Sequence, residues 1–154
     1  MTDADPFARA PGGMSGPLDL HATCVAWHGA GLLILGRSGS GKSGLALALM
    51  AWGCALVADD RTLVAQEAGA LIASAPAILA GRIEARGIGI LTAPALPRAR
   101  LVLAIDLDHA ETARLPPERR LPLLGLSLSL VHKPATGHFD AAILHYLRAV
   151  KDSA

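Results

Sequence analysis

The sequence predicts an α/β fold, a mixed sheet flanked by helices and built around a phosphate-binding loop. Three observations carry this. The apolar run Leu32-Leu33-Ile34-Leu35 leads into Gly36-Arg37-Ser38-Gly39-Ser40-Gly41-Lys42-Ser43, which fits G-x-x-x-x-G-K-[ST] in full. Good helix formers follow from Ser43 to Trp52, closed by Gly53. Further short apolar runs end on glycine or aspartate, as buried strands do, and several connections are too short for right-handed crossovers.

Taken in order, residues 1–17 carry Pro6, Pro11 and Pro17 with Gly12, Gly13 and Gly16, and read as a flexible tail. Residues 18–154 read as a single domain. Leu18 to Trp27 is a strand, His28-Gly29-Ala30-Gly31 a turn, and Leu32 to Leu35 a second strand completing a hairpin. After the helix, Ala55 to Ala58 is a buried strand ending on Asp59-Asp60. Thr62 to Ala73 reads as strand, turn and strand, with Glu67-Ala68-Gly69 at the turn. Pro76 to Gly81 is a connector, and Arg82 to Gly89, where charges interleave with glycine, a loop. Leu101 to Ile105 is a third strong apolar run, ending on Asp106. Leu115-Pro116-Pro117 and Leu121-Pro122 exclude helix, and Leu126 to Val131 suits a strand. Phe139, Ala142, Ile143, Tyr146, Leu147 and Val150 share one face of a terminal helix.

Composition narrows the function. Of 154 residues, 52% are apolar, 18% charged and 3% aromatic, so the core is built from Leu, Ala, Ile and Val, and disorder is excluded. A net charge of +1 gives no bulk attraction to nucleic acid or anionic membrane, and the few aromatics offer few stacking platforms. No apolar run reaches the roughly 18 residues of a membrane span, and Met1 to Pro6 do not open a secretory signal. The expected compartment is the cytoplasm. Cys24 and Cys54 lack metal-ligand spacing and read as buried reduced thiols.

The chemistry sits in the glycine-rich motif. Its glycines let successive N–H groups turn inward around an anion, and the following helix points its positive end at the same place. In that arrangement Lys42 reaches the β- and γ-phosphates and the Ser43 hydroxyl ligates Mg²⁺. A second acidic group is then needed. Asp59-Asp60 and Asp106 both end apolar runs, and ligands of open α/β sheets bind beyond the carboxyl ends of strands. The carboxylate pair suits proton acceptance. Glu84 and Arg86 put charge beside Gly87-Ile88-Gly89, and His21 opens an apolar strand.

Taken together, His21-Ala22-Thr23, the Gly36 to Ser43 motif, Leu56-Val57-Ala58-Asp59-Asp60 and Ile83-Glu84-Ala85-Arg86-Gly87-Ile88-Gly89-Ile90 resemble HPr kinase/phosphorylase over about residues 18 to 92. The resemblance implies an ATP-dependent serine kinase of an HPr-like phosphocarrier of the phosphotransferase system. It implies phosphorolysis of the seryl-phosphate as a reverse reaction, and a nucleotide site like that of phosphoenolpyruvate carboxykinase. By the same resemblance, Asp59 is the general base, His21 lies near it and tunes its protonation, and Asp60 assists. Ser43 and Glu84 hold Mg²⁺, Arg86 supports the signature loop, and Arg114 matches a phosphate-contacting arginine. The family forms hexamers, which points to a homo-oligomer. Against this pattern the chain is expected to be shorter, to lack a separate N-terminal domain, and to depart after Ala93, where Val131 to His138 is a thin substitute for a basic docking segment. Two other readings are a P-loop kinase of a small metabolite and an ATP-binding regulatory switch. Against a small-GTPase-like switch, the sequence holds no N-K-x-D motif.

Overall fold

A computed structural model describes residues 16–153; the expected tail over residues 1–17 lies, but for its last two residues, outside them. The centre of the fold is the hairpin of β2 (Ala22–Trp27) and β3 (Ala30–Leu35), both almost wholly buried. Burial on both faces explains why they read as continuous apolar runs instead of alternating ones. β3 leads through the glycine-rich loop into α1 (Lys42–Ala51), and β4 (Ala55–Ala58) returns to pair antiparallel with β2.

The other neighbour of β3 is the long strand β9 (Ala99–Glu111), in parallel, with Leu35 opposite Asp106. β1 (Leu18–Leu20), β5 (Thr62–Glu67) and β6 (Ala70–Ser74) extend the sheet beyond the start of β9. β11 (Leu126–Pro134) runs parallel to the end of β9 and carries β10 (Arg119–Leu123) on its outer side. The result is a nine-stranded mixed sheet with a separate two-stranded ribbon, β7 (Arg82–Ala85) and β8 (Gly89–Thr92). The amphipathic helix α2 (Phe139–Ser153) closes the chain.

Both helices pack on the same face. Leu45, Ala46 and Leu49 of α1 and Ile143, Leu144 and Leu147 of α2 meet Val25, Leu32, Ile34, Leu103 and Ile105. The opposite face, with Cys24, Leu33, Leu35 and Ala104, is covered by the sheet itself, through Val64 and Leu71 on one side and Leu121, Leu123 and Leu128 on the other. The expected sheet flanked by helices is therefore a curled sheet with helices on one side only. Curling supplies the second layer that a sheet buried on both faces requires.

Four further expectations change. Leu18 to Trp27 is two strands broken at His21. β9 continues past Asp106 to Glu111, and Pro122 lies inside β10, where an outer strand tolerates a missing N–H. Arg82 to Gly89 is not a loop but most of a hairpin. Ile83 and Ala85 point inward while Arg82 and Glu84 point out, and Gly87, at φ +84, makes the turn. Its glycines hid a period-two pattern only four residues long. Cys24 and Cys54 are buried and free, as expected; burial pushes the Cys54 thiol up to about 11. Among the described residues no helix is long and apolar enough to cross a membrane.

Candidate active site

Strand direction brings the sequence motifs to one edge. β2 is antiparallel to both β3 and β4, and β9 is parallel to β3. The carboxyl ends of β3, β4 and β9 therefore emerge together, beside the start of β2. That edge gathers the glycine-rich loop, Asp59-Asp60, Asp106 and His21.

α1 starts from Gly41, at φ +103, with no side-chain cap and no acidic residue in its first turn. Such a start leaves the helix end suited to an external anion. The buried Lys42 donates from Nζ to the Gly36 carbonyl at 2.8 Å and the Arg37 carbonyl at 3.2 Å. Burial lowers its pKa, and the carboxylates of Asp60, Asp108 and Asp59 oppose that shift. Among the described residues the buried Ser40 hydroxyl has no hydrogen-bond partner.

Asp59 and Asp60 are held in different ways. Asp59 Oδ1 accepts from the Ser43 hydroxyl at 2.8 Å and from the Thr23 hydroxyl at 3.1 Å, and Oδ2 accepts the Glu84 N–H at 3.0 Å. The carboxylate is thereby fixed against the first turn of α1. Asp60 adopts the left-handed region, φ +67, and its N–H donates to Thr23 Oγ1 at 3.1 Å. Its Oδ1 shares a 2.8 Å hydrogen bond with His21 Nε2. The histidine thus pairs with the second aspartate and not, as the resemblance implied, with the first.

A cleft of about 490 Å³ opens in front of these groups. Ser38, Gly39 and Gly41 to Gly44 of the loop and helix start, Asp59 and Asp60 after β4, and Glu84, Arg86 and Ile88 of the β7–β8 hairpin line it. Gly36, Arg37 and Ser40 stand behind this lining, and Arg114 is exposed in the segment after β9, outside it. Arg114 is therefore not brought to the cleft. Asp106 is also turned away: it accepts the Asp108 N–H and binds His109. Thr23, which links the two aspartates, is the residue that motif reading missed. Its signal was a hydroxyl inside an otherwise apolar strand, two positions after His21.

The donors present suit a hard cation. Ser43 Oγ, the Asp59 carboxylate and Glu84 meet at one cleft. Among the described residues no three His, Cys, Asp or Glu side chains form a ready-made metal cage. Few protein oxygens, completed by phosphates and water, is how Mg²⁺ is usually held.

Residues 14–106 match the family model of the HPr Serine kinase C-terminal domain. The chain belongs to this family. Two relatives are each named HPr kinase/phosphorylase. That of Clostridium tetani is 44% identical over 86 residues, covering 56% of this chain and 28% of its own length. That of Geobacillus thermodenitrificans is 39% identical over 115 residues, covering 70% and 36%. The chain thus spans about a third of the curated relatives it matches. The solved Hpr(Ser) kinase/phosphatase from Coxiella burnetii superposes with a TM-score of 0.73 at 26% identity, covering 88% of this chain and 91% of that one. For this HPr serine kinase C-terminal domain, the match ends at Asp106, so β10, β11 and α2 lie outside it.

Proposed function

We propose that this domain transfers the γ-phosphoryl group of Mg·ATP to a seryl hydroxyl of an HPr-like phosphocarrier of the phosphotransferase system. The observation that carries the reading is the division of labour between the adjacent aspartates. Asp59 accepts from three donors and faces Ser43, whereas, among the described residues, the exposed Asp60 side chain is hydrogen-bonded to His21 alone.

The glycine-rich loop and the start of α1 cradle the phosphates, with Lys42 meeting the β- and γ-phosphates. Ser43 and Glu84 hold Mg²⁺, with Asp59 orienting the Ser43 hydroxyl. When bound, the ion neutralises charge on the transferred group. Arg86 and the β7–β8 hairpin line the same cleft. The seryl oxygen forms its bond to the γ-phosphorus as the bond to the bridging oxygen breaks, and ADP leaves. The hydroxyl proton passes to the Asp60–His21 pair, which is favoured here over Asp59 because the exposed Asp60 carboxylate meets one side-chain partner whereas Asp59 accepts three hydrogen bonds. In phosphorolysis, inorganic phosphate attacks the seryl-phosphate to give pyrophosphate, and the same pair returns the proton to the serine.

A protein acceptor is favoured over a small metabolite by the cleft rim. Ile88, which lines the cleft, is 79% exposed, and Ile90 of the same hairpin is 65% exposed, an apolar edge that a protein surface covers. Such carriers make the cytoplasm the compartment. The test is incubation of the protein with γ-labelled ATP, Mg²⁺ and HPr-like carriers of its host. The reading expects acid-stable, base-labile phosphoserine on a carrier. Binding of Mg·ATP without transfer to any carrier would contradict it.

A further inference from the structure

The acidic stretch of the long strand β9 at Asp106 and Asp108, where its register against β11 shifts, has no part in the chemistry above, yet it touches the glycine-rich loop. β3 and β9 lie side by side, so the chain leaving Leu35 passes the residues just after Asp106. There the Arg37 N–H donates to both carboxylate oxygens of Asp108, at 3.0 and 3.2 Å. Arg37 Nε stands 3.5 Å from Oδ1 of the same carboxylate. Asp108 is aimed in turn by the buried Asp106, whose Oδ1 accepts the Asp108 N–H at 2.9 Å. The other Asp106 oxygen binds His109 Nδ1 at 2.7 Å, and the His109 ring stacks on His132 of β11.

The peptide joining Gly36 and Arg37 is therefore gripped on both sides. Its N–H is held by Asp108, and its carbonyl accepts the Lys42 ammonium. We propose that Asp108 is a positioning residue for nucleotide binding: it fixes the plane of the Gly36–Arg37 peptide and so sets where Lys42 rests. This inference rests on the reading that the loop binds nucleotide phosphates. A carboxylate beside an anion-binding loop repels its ligand, so charge alone does not explain the residue. A hydrogen bond from the Arg37 N–H to the charged carboxylate, at 3.0 and 3.2 Å, does so by fixing the loop.

The two contributions separate in the variants Asp108→Ala and Asp108→Asn. Mg·ATP affinity is measured calorimetrically, and hydrogen exchange is followed at the Arg37 amide. Asp108→Ala should weaken Mg·ATP binding about tenfold, the size of one lost charge-assisted bond. It should also speed exchange at Arg37 while the β3 amides of Leu33 and Ile34 stay protected. Asp108→Asn keeps an acceptor oxygen without the charge and should lose less affinity than Asp108→Ala. Unchanged affinity in Asp108→Ala, equal losses in both variants, or faster exchange spreading through β3 would each overturn the clamp. Failure of the wild type to bind Mg·ATP would overturn the nucleotide reading itself, and the clamp with it.

Discussion

Thr23 shows how much of the site depends on one hydroxyl. It is fully buried, donates to Asp59 Oδ1 and accepts from the Asp60 N–H, so it sets both carboxylates at once. β2 pairs Cys24 with Ala58, and one step further along the strands puts Thr23 opposite Asp59. Thr23→Val keeps the shape but leaves the Asp60 N–H without this acceptor, at a residue already in the left-handed region. It should cost about 1–3 kcal/mol in urea unfolding, and transfer activity should fall while the fold is kept. A variant as stable and as active as wild type would remove Thr23 from the account. The glycine-rich motif and the double aspartate were legible because each has a fixed spacing. Which aspartate meets His21 was not legible, because that depends on the left-handed turn at Asp60 and not on residue type. Aspartate is among the few non-glycine residues that visit this region readily.

At the scale of elements, Leu32 to Leu35, Ala55 to Ala58 and the strand-turn-strand over Thr62 to Ala73 were legible, whereas the break at His21, the β7–β8 hairpin and the extension of β9 were not. The β7–β8 hairpin escaped because its inward residues are only Ile83 and Ala85, between charges and glycines. The extension of β9 escaped because its second half, Leu107 to Glu111, becomes polar where it leaves the core. That half is tied to β10 by Glu111, which meets Arg119 and accepts the Ala113 N–H at 3.1 Å. The Ala113 hydrogen bond, and after it the Arg119 guanidinium, hold the Glu111 carboxyl below its ordinary value of 4.5. The unfolded chain binds this proton more readily than the folded one. The contribution is therefore complete above the ordinary value and is lost as pH falls through the lowered one. Glu111→Gln should lower the melting temperature at pH 7, and the gap to wild type should close as the pH falls below the ordinary carboxylate range. A gap that is independent of pH would show that the carboxylate charge does not hold this junction.

For the whole molecule, the decisive feature is that β2, β3, β4 and β9 bring His21, the loop, Asp59-Asp60 and Asp106 to one edge of a curled sheet. The mixed strand directions were expected from the short connections, but the curl was not. It arises from β5, β6, β10 and β11 folding over a face that helices cover in flatter sheets, and no local pattern announces such a long-range pairing. The chain covers about a third of these curated relatives, and its superposition covers 91% of the Coxiella burnetii chain. The central claim is that the two aspartates divide the work, with Asp60 and His21 accepting the proton and Asp59 ordering Ser43. Asparagine tolerates the left-handed turn, so Asp60→Asn removes charge with little change of backbone. The most direct measurement is the single-turnover rate of phosphoserine formation on the carrier, with Mg·ATP affinity measured in parallel, for wild type, Asp60→Asn and Asp59→Asn. The account predicts a fall of about 10²- to 10⁴-fold for Asp60→Asn with Mg·ATP affinity retained, and a loss of Mg²⁺-dependent affinity for Asp59→Asn. Transfer by Asp60→Asn at the wild-type rate, with activity abolished in Asp59→Asn at unchanged affinity, would contradict it and return the base to Asp59.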